Sequence, residues 1–439
     1  MKHFADLHIH SRYARACSPQ LTVENIDLWC RIKGLQLVAT GDFTYPRWRE
    51  DLHEKLEPVG NSLYRLKKEL RVRDPRFKET DLAEVNFVCS TEIACIYSDG
   101  GQVRRIHHVI FAPSLEAVDK IVELMEKRGC KLKSDGRPIV GMSSRDLLQL
   151  ILEADERCKL IPAHAWTPWF AIFGSKSGHD SIEECFGDMS DQIFAIETGL
   201  SSDPAMNWRV KALDKVGLIS SSDAHSLPNL AREAVEFIGS ELSYDNVFEA
   251  IKNSSPLARA RGKKAGLELS QTVEFFPDEG RYHYDGHRSH QISLHPSETI
   301  KHKGICPKCL RPLVIGVLNR VEELATEPEG RLPDKAVPFT SLVELDKVIA
   351  QSLGVKGRAT KAVEAEYWPL VSKGGGELSV LLNATEEQLA KMTSPVVMEG
   401  IMRLRRKQVE IVPGYDGEYG QIKIFSDKER KKYSQGALF

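Results

Sequence analysis

Long apolar runs are missing from this chain. None of its 439 residues sits in a run of the ~18 apolar residues that a membrane-crossing helix needs. The opening MKHFADLHIH has no apolar signal region, so the expected location is the cytoplasm. No GxxxxGKS or GxxxxGKT stretch occurs, which argues against a P-loop and against the use of ATP. The nine cysteines are an odd number, and only Cys306 and Cys309 lie close together. Scattered thiols of this kind belong to a reducing compartment, not to a disulfide framework. Internal repeats are absent. A large net charge is missing too: 60 Lys and Arg stand against 62 Asp and Glu, giving −2. That balance hides an asymmetry. Residues 1–250 carry 31 basic and 38 acidic side chains, and residues 251–439 carry 29 and 24. The basic back part is the candidate for an anionic partner.

What is present is ordinary globular composition, 41% hydrophobic and 28% charged, long enough for two to four domains of roughly 100–200 residues. Residues 1–250 alternate short apolar stretches with helical patterns. KHFADLHI, LQLVATG, VNFVCSTEIACIY, RIHHVIFAP, KLIPAH, QIFAIET and GLISSSDA read as strands, and SLEAVDKIVELMEKRG and SRDLLQLILEADER as helices. This predicts βα units around a largely parallel sheet, and seven such strands suit a barrel. Residues 251–275 read as a basic connector, 276–330 as a small module rich in His, Gly, Pro and Cys, 331–412 as a helical domain split by Lys373-Gly374-Gly375-Gly376, and 413–439 as a polar tail.

Chemistry begins at Asp6-Leu7-His8-Ile9-His10. Residues i and i+2 of a strand share a face, so His8 and His10 can bind one ion. Asp42, Glu92 and His164 end later strands, His107 and His108 sit in another, and Asp223 and His225 repeat the i, i+2 spacing. Imidazoles and carboxylates gathered at strand ends suit Zn, Mn or Mg. Such ions activate water and polarise phosphoryl oxygens, so no Ser-His-Asp or Cys-His nucleophile is required.

DLHIHS, the Asp42 motif, STE, IHHVIFAP, AH and SSDAH together resemble the polymerase and histidinol phosphatase (PHP) domain over about residues 1–245. The resemblance implies a distorted seven-stranded βα barrel, phosphoester hydrolysis and a site for two or three divalent ions. It implies ligands at His8, His10, Asp42, Glu92, His107, His164, Asp223 and His225, with His107 chosen over His108 by its offset from the following apolar run. Two positions depart from the family. Phe43 stands where a His often follows the Asp, and Ala14-Arg15-Ala16-Cys17 lacks the usual His or Asp, so a third ion has few ligands left.

Behind the barrel, His287-x-x-His290 and Cys306-x-x-Cys309 form two ligand pairs with the spacing of a zinc ribbon. His283, His295 and His302 compete for the imidazole places. A segment so poor in apolar residues needs a metal to fold.

Further segments, IETGLSSDP, FGSKSG, YHYDGHR, VLNRVEEL and PGYDGEYG, are similar to the endonuclease Q family along nearly the whole chain. That resemblance implies cleavage of double-stranded DNA on the 5′ side of deaminated bases (uracil, hypoxanthine, xanthine) and abasic sites. Lys176, Arg259, Arg261, Lys263, Lys264, Arg403, Arg405, Arg406 and Lys407 are then the candidates for phosphate contacts. A lesion enzyme takes the base out of the stack, and Trp166, Trp169, Phe170 and Phe173, just after His164, are candidates to receive it or to pack the barrel rim. The final Gln435-Gly436-Ala437-Leu438-Phe439 resembles a bacterial sliding-clamp peptide, with Gln435, Leu438 and Phe439 as its anchors. The alternatives are a small-molecule phosphoesterase, for which the back of the chain has no evident use, and a non-catalytic DNA-binding scaffold, against which the nearly intact ligand set argues.

Overall fold

The computed structural model describes residues 1–77, 84–262, 266–426 and 428–429. It is a mixed α/β fold around an eleven-stranded central sheet. Lys2–Asp6 lies in the middle of that sheet. Leu37–Ala39 runs parallel to it on one side, through Ala5 opposite Leu37, and Ala234–Gly239 runs antiparallel on the other, through Lys2 opposite Ile238. Asn86–Asp99 continues parallel to Leu37–Ala39, then folds back as Gln102–Ala112, which pairs antiparallel with Lys159–Pro162. Ala195–Glu197 and Gly217–Ile219 form a separate parallel pair. It is tied in by the Ala165 amide donating to the Glu197 carbonyl (2.9 Å) and by a parallel bridge between Ile9 and Ala224.

The sheet is less parallel than the alternating pattern predicts. The reason is local. Gly100 and Gly101 both take positive φ (57° and 76°) between Asp99 and Gln102, the geometry of a tight hairpin turn. No helix separates the two longest strands.

The flanking helices form where Ser or Thr can cap them. Thr22 accepts from the Asn25 amide to start Val23–Lys33, Ser114 from the Ala117 amide to start Leu115–Lys127, and Ser143 from the Asp146 amide to start Ser144–Ala154. Each packs an apolar face on the sheet; in Leu115–Lys127 this is Leu115, Val118, Ile121, Val122 and Met125. Among the described residues no helix is long and apolar enough to cross a membrane.

Residues 251–275 are not a connector. Pro256–Ala260 is a short helix, and Leu267–Glu274 pairs antiparallel with Ala234–Gly239 as a full strand of the central sheet. The basic residues that suggested a linker hide the alternation of LELSQTVE. Phe339–Ser341 adds a parallel strand beside it, so the back of the chain is knitted into the front sheet. The helices that follow are Leu345–Leu353, Lys361–Gly374, Glu377–Leu382, Glu386–Ala390 and Pro395–Arg405. A buried ion pair helps join them to the Val23–Lys33 helix on the central sheet. Lys33 Nζ lies 2.7 Å from Glu377 Oε2, and Glu377 also accepts from the Tyr367 hydroxyl (2.7 Å) and the Leu345 amide (3.1 Å). Gly376 passes within a Cβ's reach of Gly34: a methyl group there would meet the Gly34 Cα at 2.7 Å.

The start of the expected tail is likewise packed. Gln421–Lys423 pairs with Glu410–Val412, and Gly414 exchanges backbone hydrogen bonds with Tyr284 and Asp278. Gln435, Leu438 and Phe439 lie outside the described residues, as do Lys263 and Lys264.

Candidate metal centre and zinc module

Leu7 and Ile9 point into the core, leaving His8 and His10 on the opposite face just beyond Lys2–Asp6. Each imidazole is held from behind. His8 Nδ1 donates to Glu197 Oε2 at 2.9 Å, and His10 Nδ1 donates to Asp42 Oδ1 at 2.9 Å. A carboxylate on Nδ1 fixes the ring and turns the Nε2 lone pair toward the cluster. There His10 Nε2 lies 3.3 Å from Glu92 Oε2 and 3.1 Å from Asp223 Oδ1. His8 Nε2 lies 3.8 Å from Glu92 and 3.9 Å from Asp223. On the far side of Glu92, its Oε1 is 2.7 Å from His107 Nδ1 and 3.1 Å from His164 Nε2.

Three overlapping triads result: His8, His10 and Glu92; His10, Asp223 and His225; Glu92, His107 and His164. In each, the ligand atoms lie within 4.8 Å of one another. Glu92 and His10 each belong to two triads, so the three places adjoin. His8 Nε2, His10 Nε2 and Asp223 Oδ1 are buried without a hydrogen-bond partner. Acceptors facing acceptors in a buried space need a proton or a cation between them. Burial works against charging His8, but Glu197 and Glu92 outweigh it and push its pKa well up; Asp42 and Asp223 do the same for His10. Divalent ions satisfy the same demand, and the donor set suits them.

Asp42 is the exception among the expected ligands. Its two oxygens accept from His10 Nδ1 and from the Ser11 amide (2.6 Å), and it belongs to none of the triads. Both oxygens are occupied on the side away from the cluster, so Asp42 positions His10 and is not placed as a ligand. His108, the neighbour of His107, points to the other face of its strand. It bonds Ser144 Oγ at 2.8 Å, and burial lowers its pKa to about 3. His107 is pushed down to about 4, by burial against the pull of Glu92.

The strand ends that carry the cluster are bent sharply. Asp42, His164 and Asp223 have φ of 47°, 28° and 46°, a left-handed conformation that costs an L residue about 1–2 kcal/mol. Glycines make room for it. A Cβ on Gly41 would meet the Ile9 carbonyl oxygen at 2.4 Å, and one on Gly199 would meet His164 Cβ at 2.5 Å.

Two residues of the site are not singled out by the sequence patterns. Glu197 Oε2 accepts from both His8 Nδ1 and the His164 amide (2.8 Å). It ends Ala195–Glu197, and the strand-end rule extended to QIFAIET would have found it, whereas Glu92 sits in the middle of Asn86–Asp99. Arg137 Nη1 lies 3.1 Å from Glu92 Oε2. It comes from an irregular loop that no periodicity marks.

Of the four aromatics after His164, two are core residues. Trp166 is buried, donates from Nε1 to Asn207 Oδ1 (2.8 Å) and packs on buried Phe173, ring centroids 4.9 Å apart. Neither has a face left for a base. Phe170 lies beside the cluster, 4.6 Å from the His107 ring, and Trp169 is 46% exposed beside Tyr282.

In the second histidine cluster, His287, His290, Cys306 and Cys309 converge. Cys309 Sγ is 3.4 Å from His287 Nδ1, Cys306 Sγ is 3.6 Å from His290 Nδ1, and the two Nδ1 atoms are 3.1 Å apart. Burial opposes ionisation of Cys306, yet bonds from His287 and from the Cys309 and Lys308 amides win and bring the thiol down to about 6. This quartet suits a tetrahedral zinc ion. The competitors are outside the quartet: His283 is buried near Asp278 (3.5 Å), His295 caps Pro296–Lys301 and His302 ends that helix.

The basic candidates divide. Lys176 and Arg261 are exposed. Arg406 is paired at 3.4 Å with Glu386, and Lys407 lies over the Phe339 ring. Arg259 is turned to Glu268 (2.9 Å) and the Leu269 carbonyl. Arg403 and Arg405, expected on a DNA face, are occupied within the fold. Arg405 donates to the carbonyls of Val380, Leu381 and Ala384, closing the end of Glu377–Leu382. Arg403 pairs with Glu399 and Glu429 and covers Phe425. Long stems let both reach back over the helix ends.

Comparisons with known proteins agree with this layout. Residues 344–408 match the family described as the MJ0043 C-terminal domain. The uncharacterised protein MJ0043 of Methanocaldococcus jannaschii is 32% identical over 274 residues, which is 60% of this chain and 32% of that protein; the match spans about a third of the relative's length. Among solved structures, the lesion-specific endonuclease PfuEndoQ from Pyrococcus furiosus superposes with a TM-score of 0.81 and 28% identity, covering 96% of this chain and 95% of that one. An endonuclease Q complex with a 27-mer duplex bearing an abasic lesion at its active site gives a TM-score of 0.79 and 28% identity, with 98% of both chains covered. In fold and in sequence, from one end to the other, the chain is a relative of endonuclease Q.

Proposed function

We propose that this protein is a metal-dependent DNA repair endonuclease that hydrolyses the phosphodiester on the 5′ side of deaminated bases and abasic sites. The observation that carries the reading is the set of three adjoining triads, with its unpartnered acceptors, on a chain similar throughout to a lesion endonuclease. On this reading the strands around the site, with the Ala195–Glu197 and Gly217–Ile219 pair, form a distorted barrel. His287, His290, Cys306 and Cys309 hold a structural zinc that shapes the module beside the site. The helical domain completes the DNA-binding face.

His8, His10, Glu92, His107, His164, Asp223 and His225 would hold two divalent ions, which would supply water activation and charge neutralisation at the phosphoryl group. The protein's share is placement. Glu197 and Asp42 hold the His8 and His10 rings in one tautomer. Glu92 spans two triads and keeps their occupants adjacent. Phe170 and Trp169 wall the opening, where they meet an extruded base. Lys176, Arg261, Arg406 and Lys407, with Lys263 and Lys264, contact phosphates along the duplex. The C-terminal Gln435, Leu438 and Phe439 dock into a sliding clamp. Free thiols and a DNA substrate support a cytoplasmic location.

The test uses labelled duplexes containing one uracil, hypoxanthine, xanthine or abasic site, with Mg²⁺ or Mn²⁺. A nick directly 5′ of the lesion that disappears in Asp223→Ala is expected. Turnover of a phosphomonoester with every duplex left intact would overturn the reading.

A further inference from the structure

We propose that Arg137 is a catalytic residue of the centre: a fixed guanidinium that binds a non-bridging oxygen of the scissile phosphate alongside the divalent ions. The inference rests on the phosphodiesterase reading above and adds a residue to it.

The loop that delivers Arg137 is built for close approach. The Asp135 carboxylate accepts from the Arg15 amide (3.1 Å) and the Arg137 amide (3.0 Å). The Gly136 amide donates to the Tyr13 carbonyl (3.0 Å), and the Pro138 carbonyl accepts from the Ala94 amide (3.0 Å). The Thr44 hydroxyl reaches the Gly136 carbonyl at 3.5 Å. The loop is therefore tied to three separate segments around the cluster. Gly136 rests on Asp42 itself: a Cβ there would lie 2.7 Å from Asp42 Oδ2 and 2.9 Å from the Ala14 nitrogen. No other residue lets the loop come so near the carboxylate that positions His10.

The guanidinium that arrives is both held and available. Nη1 is 3.1 Å from Glu92 Oε2, the carboxylate shared by two triads, and the side chain keeps 25% of its surface exposed. A guanidinium keeps its charge at any working pH. Glu92 is its one side-chain hydrogen-bond acceptor among the described residues. A guanidinium has five N–H groups in a planar fork that fits phosphate oxygens. Arg405 shows what a purely structural arginine looks like in this protein: its donors go to three backbone carbonyls. Arg137 spends one nitrogen on the cluster, and a quarter of its side chain stays exposed. Fixed donors aimed at developing negative charge act on the transition state more than on binding.

The experiment compares the full-length wild type, Arg137→Ala and Arg137→Lys after loading with Mn²⁺ and desalting. Metal per chain is measured by mass spectrometry. Single-turnover rates are measured on an abasic duplex and on bis(p-nitrophenyl) phosphate, with and without methylguanidinium. Expected for Arg137→Ala are wild-type metal content, a rate lower by about 10²–10³-fold on both substrates, and partial rescue by methylguanidinium; Arg137→Lys falls between. Loss of metal together with activity would overturn the proposal, because Arg137 would then serve only to hold Glu92. An unchanged rate would overturn it as well. Hydrolysis of the aryl diester by a wild type that leaves the duplex intact would defeat the endonuclease reading, while the aryl diester still reports on Arg137.

Discussion

The protein builds two histidine clusters by opposite means. The quartet of His287, His290, Cys306 and Cys309 comes from one short stretch of turns and brief elements, and its thiols and imidazoles are close enough to share one ion. The larger cluster gathers side chains from His8 to His225 on or just beyond five different strands, with carboxylates behind His8, His10 and the His164 backbone. The first is closed by its four ligands, which suits a metal that maintains shape. The second has more ligand atoms than one ion can use, the Phe170 ring against His107 and a charged arginine beside it. A structural site is written locally. A reactive one is assembled by the whole fold.

Breaking the larger cluster gives the biggest effect. Asp223→Ala should abolish nicking of a lesion duplex while the quartet keeps its zinc, so metal analysis will show loss only of the other ions. Breaking the quartet should do the reverse. Cys306→Ser is expected to release one zinc per chain and remove hydrogen-exchange protection from residues 285–314, because binding of structural zinc carries roughly 10–16 kcal/mol in small modules; hydrolysis of a small aryl diester should persist. If both activities vanish together, the two regions are not separable as described.

A subtler change tests the residues behind the ligands. Glu197→Gln should weaken metal binding about 10–100-fold, read by calorimetric titration with Mn²⁺, with little change in the folded structure. Exchange of Glu197 without effect would show that His8 needs no carboxylate to orient it.

The smallest effect is on stability against pH. Buried Glu274 is pushed up to about 8, by burial first, and neighbouring Glu233 is raised with it. Both bind protons more tightly folded than unfolded. Their contribution is full below the ordinary carboxyl pKa and fades as pH rises toward 8. The urea midpoint should therefore fall between about pH 5 and 8, and Glu274→Gln should flatten that slope. An unaltered slope would place the titration elsewhere.

Sequence patterns reached the ligands because strand alternation and strand ends are local facts. His8 and His10 two apart, Glu92, His164 and the Asp223–His225 pair all follow from them, and the structure draws them together. What escaped depended on partners far away in sequence. Asp42 looks like a ligand until His10 and Ser11 are seen to occupy both its oxygens. Arg405 looks like a phosphate contact until three carbonyls are found around it. Trp166 and Phe173 read as a base pocket only until their mutual packing is visible. Basic residues just before it mask the Leu267–Glu274 strand, and only the paired Gly100 and Gly101 mark the antiparallel return between the two longest strands.

Gly41, Gly136 and Gly199 contribute no atom to the chemistry, yet each stands where a single methyl group would collide with the site's framework. Anyone transplanting this centre into another fold would have to carry these three empty positions along with the ligands. The portable unit is the set of side chains together with the spaces kept clear for them.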